Sequence, residues 1–380
     1  MKIVLNLISA NTGGQVTRAR SFLDRVIECS PNLELVVFKI AGAMPELISR
    51  KGIEVLEVDI DSNSRFFALR RMLWENIQML PLLSKINTDV YLSFSHYLPV
   101  KKLGIPTVVA VSNLAPFSNA AYHSERLWGR IRLIILRRTI IFSAQRASEV
   151  IALSSKCKKV LIENDVSAAK IKVIPNGVAR VRDSINLREE LRGRENPYIL
   201  SVSHFYRYKN FEQLISAYAI LPSNVRNQWR LKIVGKFYDQ GYTNELKILA
   251  ERLEIEDRVD FIPGLYREEL HEMYLGATVF VFSSLIENSP NILLEAMAYG
   301  IPTISNGNDP MPEFGGDAVT YFKSQDNDDL ATKIASILDD KSLLDKMSLQ
   351  AKNQSSLFSW DRFTNDVIGL CSLVSKSNLH

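Results

Sequence analysis

Short, continuous apolar runs alternate along this chain with longer stretches in which apolar residues recur every three or four positions. The short runs fall at residues 2–8, 33–40, 53–58, 90–94, 107–111, 149–153 and 172–178, then at 198–203, 231–234, 259–262, 278–282, 303–305 and 318–322. They are rich in Val, Ile and Phe and do not alternate with polar residues, the pattern of strands buried on both faces. Helical spacing is found between them, most clearly at 15–29, 65–86, 126–146, 242–253, 292–299, 328–338, 342–358 and 361–375. Pro81 is expected to kink or end the second of these, because a proline inside a helix removes a hydrogen bond and crowds the preceding turn. Strands alternating with helices predict an α/β fold of parallel sheets, doubly wound, with helices on both faces.

The Pro175-Asn176-Gly177 turn and the charged, apolar-poor stretch 180–196 mark a boundary, giving domains 1–178 and 179–360. A length of 380 residues suits two domains, and 46% hydrophobic with 23% charged residues is ordinary for a globular protein. The net charge of +4 is too mild to imply nucleic acid. Cys29, Cys157 and Cys371 are widely spaced, without a metal-ligand pattern, and fit free thiols in a reducing, cytoplasmic compartment. The apolar start is too short for a signal peptide, and no run approaches the ~20 residues of a membrane-spanning helix. The helix at 126–146 changes this picture. Arg126, Arg130, Arg132, Arg137, Arg138 and Arg146 are interleaved with Trp128, Ile131, Leu133 and their neighbours. Such a helix can lie on an anionic membrane surface, or it can pack amphipathically with a solvated basic face.

The chemistry concentrates in residues 278–306, which read strand, turn, helix, turn, strand. Ser289 is a candidate N-cap with Pro290 at the first helical position, and Gly300 with Pro302 stops the helix. Ligands of open α/β sheets sit beyond the carboxyl ends of the strands, where a helix N-terminus offers free N–H groups to a phosphate. Asn291 and Ile292 are the candidate donors there, since Pro290 has no N–H. Glu295 on the helix can accept from a ribose diol, and Glu287 in the loop can reach a sugar hydroxyl. Otherwise Glu287 caps its own loop and Glu295 is a solvated helix residue, but Leu293, Leu294, Ala296 and Met297 surround it with apolar groups. Lys209 follows the strand 198–203, where it is placed for a diphosphate, with Arg207 and His204 beside it in sequence. Gly13 and Gly14 join the first strand to the first helix. Asp59 and Asp61 have the spacing of a cation-binding Asp-x-Asp pair but no supporting motif.

Glu287 and Glu295 with seven residues between them, followed by Ala296-Met297-Ala298-Tyr299-Gly300-Ile301-Pro302, resemble the E-x7-E signature of retaining GT-B glycosyltransferases of family 4. Ser284, the stretch 310–318 and Ile174-Pro175-Asn176-Gly177-Val178 are similar to the same family, particularly to bacterial members that build surface polysaccharides. The resemblance implies two Rossmann-like domains facing across a cleft. The last helix, about 361–380, would cross back to the first domain from Trp360. It implies transfer of a sugar from a nucleotide-diphosphate donor to a glycan, here a lipid-linked one, with retention and with neither metal nor cofactor. It places the enzyme in the cytoplasm, at the cytoplasmic face of the inner membrane. Lys209, with Arg207 or His204, would stabilise the leaving diphosphate, Glu295 would hold the ribose and Glu287 the donor sugar. Gly13, Gly14 and Asn113 would lie near donor phosphate, acceptor or sugar, and Gly264 and Leu265 would hold the base through their backbone. The chain departs from the family at His204, where an arginine is usual, and at Asn288-Ser289-Pro290-Asn291, where the loop is usually glycine-rich. A sugar-nucleotide epimerase on the same fold and a non-catalytic partner are the competing readings.

Overall fold

A computed structural model describes the chain except residues 10–13, 62, 63, 65, 182, 183, 185, 187, 189–196 and 378–380. The chain forms two units. The first contains Met1–Phe117, Leu127–Gly177 and the segment from Trp360 onward; the second contains Ser118–Arg126 and Val178–Ser359.

Seven parallel strands form the sheet of the first unit: β1 (Lys2–Asn6), β2 (Glu34–Ile40), β3 (Ile53–Val58), β4 (Val90–Ser93), β5 (Thr107–Val111), β6 (Glu149–Ala152) and β7 (Ile171–Val173). Their spatial order is β3-β2-β1-β4-β5-β6-β7. Alternate residues of one strand serve different cores. Ile3 and Leu5 face the helices Gly14–Cys29 and Trp360–Ser377, whereas Val4 faces Trp74, Met79, Ile140 and Ala144 on the other side. The helix Trp360–Ser377 earns its place by periodicity: Trp360, Phe363, Val367, Leu370 and Val374 recur at helical spacing and are all buried in this unit. Phe363 lies against Phe94, with ring centroids 6.0 Å apart, and Phe94 meets Phe22 edge to face at 5.4 Å.

Six parallel strands form the second sheet: β8 (Tyr198–Val202), β9 (Arg230–Val234), β10 (Val259–Ile262), β11 (Ala277–Phe282), β12 (Thr303–Asn306) and β13 (Val319–Phe322). Their order is β10-β9-β8-β11-β12-β13. Every residue of β11 is buried, as its unbroken apolar sequence requires. Both units are therefore doubly wound Rossmann-like sheets, the composition of the GT-B fold.

Three local features differ from the sequence expectation or sharpen it. The stretch 65–86 is two helices, Phe67–Ile77 and Met79–Ile86, and the break falls at Gln78. Pro81 is thereby placed in the first turn of the second helix, where its missing N–H costs nothing. Ser289 does not cap the next helix, which starts at Asn291: the Ser289 hydroxyl meets the Asn291 side chain at 3.2 Å, and Leu294 N donates to Pro290 O at 3.1 Å to close the first turn. The helix Leu127–Arg146 buries Leu133, Ile140 and Ala144, yet Trp128 and Ile135 are 81% and 58% exposed. Its outward face is thus substantially apolar, with cations beside it.

Gly235, just after β9, lies so close to the loop after β8 that a Cβ built on it would sit 1.8 Å from Ser203 O. Only glycine lets these two strand ends meet. Gly235→Ala is expected to cost about 3 kcal/mol or more, the upper end of overpacking penalties. Urea unfolding followed through Trp229, next to β9, measures it; an unchanged midpoint would show that the two strand ends separate freely.

Candidate active site

In the second unit the strand order reverses at β8, whose neighbours are β9 and β11. Ligands of such sheets bind beyond the carboxyl ends of the strands at that point. The loops after β8, β9, β10 and β11 carry His204 and Lys209, Lys236, Gly264 and Leu265, and Glu287 respectively.

Lys209 closes a single 3-10 turn, Arg207–Lys209, and Asn210 follows in the left-handed region at φ 56° before the helix Phe211–Ile220 begins. Asparagine tolerates that conformation better than most residues. The turn is stitched to the loop after β11: Leu285 N donates to Tyr208 O at 2.8 Å, and the Ser283 hydroxyl donates to Lys209 O at 2.7 Å. These bonds fix the backbone on both sides of the central contact, in which Lys209 Nζ lies 2.6 Å from Glu287 Oε1. The two side chains are 11% and 14% exposed. Removing one partner of a fully buried ion pair costs roughly 3–5 kcal/mol, because the other charge is stranded. A ligand that displaces Glu287 from Lys209 must therefore bring negative charge of its own.

Glu295 projects from the helix Asn291–Ala298 and is half-buried; its Oε2 accepts from the Tyr274 hydroxyl at 3.4 Å. Tyr274 stacks on Tyr299 at 4.9 Å, and the Tyr299 hydroxyl lies 2.6 Å from His271 Nδ1. Burial lifts the Glu295 carboxyl from 4.5 to about 7, against the opposing pull of the Tyr274 hydrogen bond and the Arg267 charge. A carboxylate so desolvated, with one long hydrogen bond from Tyr274, has room to accept from further hydroxyl groups.

His204 meets Tyr238 edge to face at 5.1 Å, and its buried Nδ1 has no hydrogen-bond partner. Burial first, then the nearby Lys209 and Lys236 charges, hold it below the usual imidazole value, so it is neutral at pH 7. Tyr206 stacks between Tyr208 and Tyr238, at 5.5 and 5.4 Å. Arg207 is turned to Glu245, with bonds of 2.7 and 2.6 Å, and lies over the Tyr242 ring. Lys236 was not singled out by the sequence. It is exposed, adjoins Gly264 so tightly that a Cβ there would meet Lys236 Cγ at 2.7 Å, and acts on His204. The sequence signal for it is the Gly235-Lys236 pair at a strand end.

The structure thus brings Lys209, Glu287, His204, Gly264, Leu265, Asn291, Ile292 and Glu295 to one end of one sheet or the helix beside it. Asn291 N donates to Ser289 O at 2.8 Å, so that N–H is already engaged. Gly14 opens the first helix and Asn113 follows β5, both in the first unit; the Asn113 side chain accepts from Ala115 N at 2.9 Å. Gly13 lies outside the described residues. Among the described residues no cluster of three or more His, Cys, Asp or Glu side chains could hold a metal ion, Asp59 and Asp61 included.

The chain has two doubly wound units, one with a lysine–carboxylate pair at its switch point, and comparison with known proteins gives the family. Residues 12–182 match Glycosyltransferase Family 4, and residues 183–354 match Glycosyl transferases group 1. The chain belongs to this family and is a glycosyltransferase. It is 26% identical over 283 residues to an uncharacterized glycosyltransferase of Haemophilus influenzae, covering 72% of this chain and 76% of that protein. It is 28% identical over 177 residues to O-antigen chain mannosyltransferase B of Escherichia coli, covering 47% of this chain and 46% of the relative, under half its length. In fold it is similar to HepE of Anabaena, solved in complex with UDP and glucose, with a TM-score of 0.73 at 20% identity over 98% of this chain and 99% of that one.

The raised Glu295 value has a definite sign. A carboxyl whose folded value exceeds its unfolded one favours folding below about pH 4.5, and that advantage is lost as pH rises towards 7. Glu295→Gln is therefore expected to gain on the wild type by about 2 kcal/mol across that interval, a figure reduced for partial exposure. Thermal melts at paired pH values measure it, and a constant difference would mean that Glu295 titrates like a solvated carboxyl.

Proposed function

We propose that this enzyme moves a sugar from a nucleoside-diphosphate sugar to a hydroxyl of a lipid-linked glycan, with retention at the anomeric carbon, in the synthesis of a bacterial surface polysaccharide. The observation that carries the reading is the Lys209–Glu287 pair at the β8 switch point, one helix away from Glu295. On this reading the donor diphosphate takes Glu287's place on Lys209, and Glu287 turns to a hydroxyl of the donor sugar. Glu295 accepts from the ribose. The bond between the anomeric carbon and the phosphate oxygen breaks as the acceptor oxygen bonds on the same face, and the acceptor's proton passes to the departing phosphate. The ammonium of Lys209 stabilises the charge that develops there, usually the largest single catalytic contribution. His204 is neutral and Arg207 is paired with Glu245, so Lys236 is the better second cation. The UDP in HepE and the O-antigen relative support donor and product class. The cation-rich, outwardly apolar helix Leu127–Arg146 supports a membrane-borne acceptor, reached by contact with an anionic surface. No described helix is long and apolar enough to cross a membrane.

Thermal melts with UDP, GDP, dTDP and CDP in turn identify the donor: a ligand at about 100 times its dissociation constant adds roughly 2.7 kcal/mol. Lys209→Ala is expected to lower turnover by about 10²- to 10³-fold, the cost of losing one preorganised charge donor. Glu295→Ala should abolish most transfer through loss of donor binding. Near-normal transfer by either variant would overturn the assignment.

A further inference from the structure

We infer that a second helix of the first unit, Phe67–Ile77, docks on an anionic lipid bilayer together with Leu127–Arg146; this rests on the membrane contact proposed above and enlarges it. Both helices lie over the same face of the first sheet, since Trp74 of one and Ile140 and Ala144 of the other belong to one core. The segment between β4 and β5 ties them together. Leu98 N donates to the Ser143 hydroxyl at 3.0 Å, Lys101 N donates to Asn76 Oδ1 at 3.0 Å, and Arg146 donates to Pro99 O at 2.8 Å.

The outward sides of both helices are apolar. Phe66, Leu69, Leu73 and Ile77 form a stripe at helical spacing and are 58, 50, 48 and 59% exposed. On the partner helix Trp128, Ile131, Ile135 and Phe142 form another, 81, 38, 58 and 42% exposed, and Val100 of the connecting segment is 58% exposed between them. A helix with one inward apolar face needs no second one for folding, so these stripes are surplus to the core.

Charge decides the occupant. Arg70, Lys101, Lys102, Arg132 and Arg138 are exposed along this surface. Residues 66–80, 98–106 and 127–146 contain one acid, Glu75, and it is 1% exposed. A second copy would bring the same cations into a two-fold contact and be repelled. Nucleic acid would meet the cations but leave the apolar stripes wet. A bilayer with anionic headgroups satisfies both, apolar side chains entering the interface and cations staying at headgroup level. The helix Leu127–Arg146, about 30 Å long at 1.5 Å per residue, lies in the plane of that surface.

The test is flotation of the full chain with phosphatidylcholine vesicles, with and without phosphatidylglycerol, read together with tryptophan emission. Trp128 is the tryptophan positioned to report, since Trp74 and Trp360 are 9% and 4% exposed and the half-buried Trp229 belongs to the second unit. The expected result is binding to the anionic vesicles alone, weakened by salt, with a blue shift. Leu69→Ser/Leu73→Ser should weaken vesicle binding at least about tenfold while leaving the nucleotide-induced shift in melting unchanged. If that variant binds as tightly as the wild type while Trp128→Ser/Ile131→Ser loses binding, the second helix is uninvolved and only the present inference falls. If the wild type binds no vesicle, the membrane contact falls as well. A wild type that sediments as a dimer and a Leu69→Ser/Leu73→Ser variant that sediments as a monomer would assign the face to self-association instead.

Discussion

The contact between Lys209 and Glu287 holds together the proposed active site of this molecule. It joins the loops that leave two neighbouring strands, β8 and β11, at the point where the sheet's winding reverses. Two backbone-anchored hydrogen bonds, from Leu285 and from Ser283, flank it and hold the turn to the loop. The pair alone is no strong source of stability, since desolvation of both ions consumes much of the attraction. Its value lies in position: the lysine is held at the sheet edge with its charge compensated, and the carboxylate can be exchanged for another anion at little electrostatic cost.

Charge around that contact is distributed unevenly. His204 stands neutral beside two lysines, and Arg207, three residues on, is held by Glu245. The arginine usual in the family is thus not replaced by its sequence neighbour. Lys236 approaches from the next strand, through a backbone crossing that Gly235 alone permits. Glu295, by contrast, is a carboxyl whose ionisation is suppressed by its surroundings. The second unit so presents cations on one side of the switch point and a poorly solvated acid on the other, the arrangement on which the proposed donor site rests.

Much of the fold was legible because parallel strands buried on both faces leave unbroken apolar runs; β11, Ala277–Phe282, is the plainest case. What escaped depends either on close local competition or on contacts distant in sequence. The break at Gln78 and the idle Ser289 cap turn on which of several adequate hydrogen bonds wins locally. The Arg207–Glu245 pair spans 38 positions with no motif to announce it. Lys236 looked like any surface lysine until Gly264 was brought against it. The helix Leu127–Arg146 was hardest to orient, because apolar residues occur on both its inward and outward faces and its periodicity alone does not say which is covered.

The helix Trp360–Ser377 has a consequence for how the molecule is made. It supplies Trp360, Phe363, Val367 and Leu370 to the core of a unit whose strands are all specified before residue 178. During translation that face of the first sheet has only the helix Gly14–Cys29 to cover it while the whole second unit emerges from the ribosome and winds up. The later unit in sequence can finish first, and the earlier one must wait, its core covered in part by the helix Gly14–Cys29, for its closing helix. For that interval the nascent chain is a substrate for hydrophobic capture by chaperones, and truncation before residue 360 would prolong the state indefinitely.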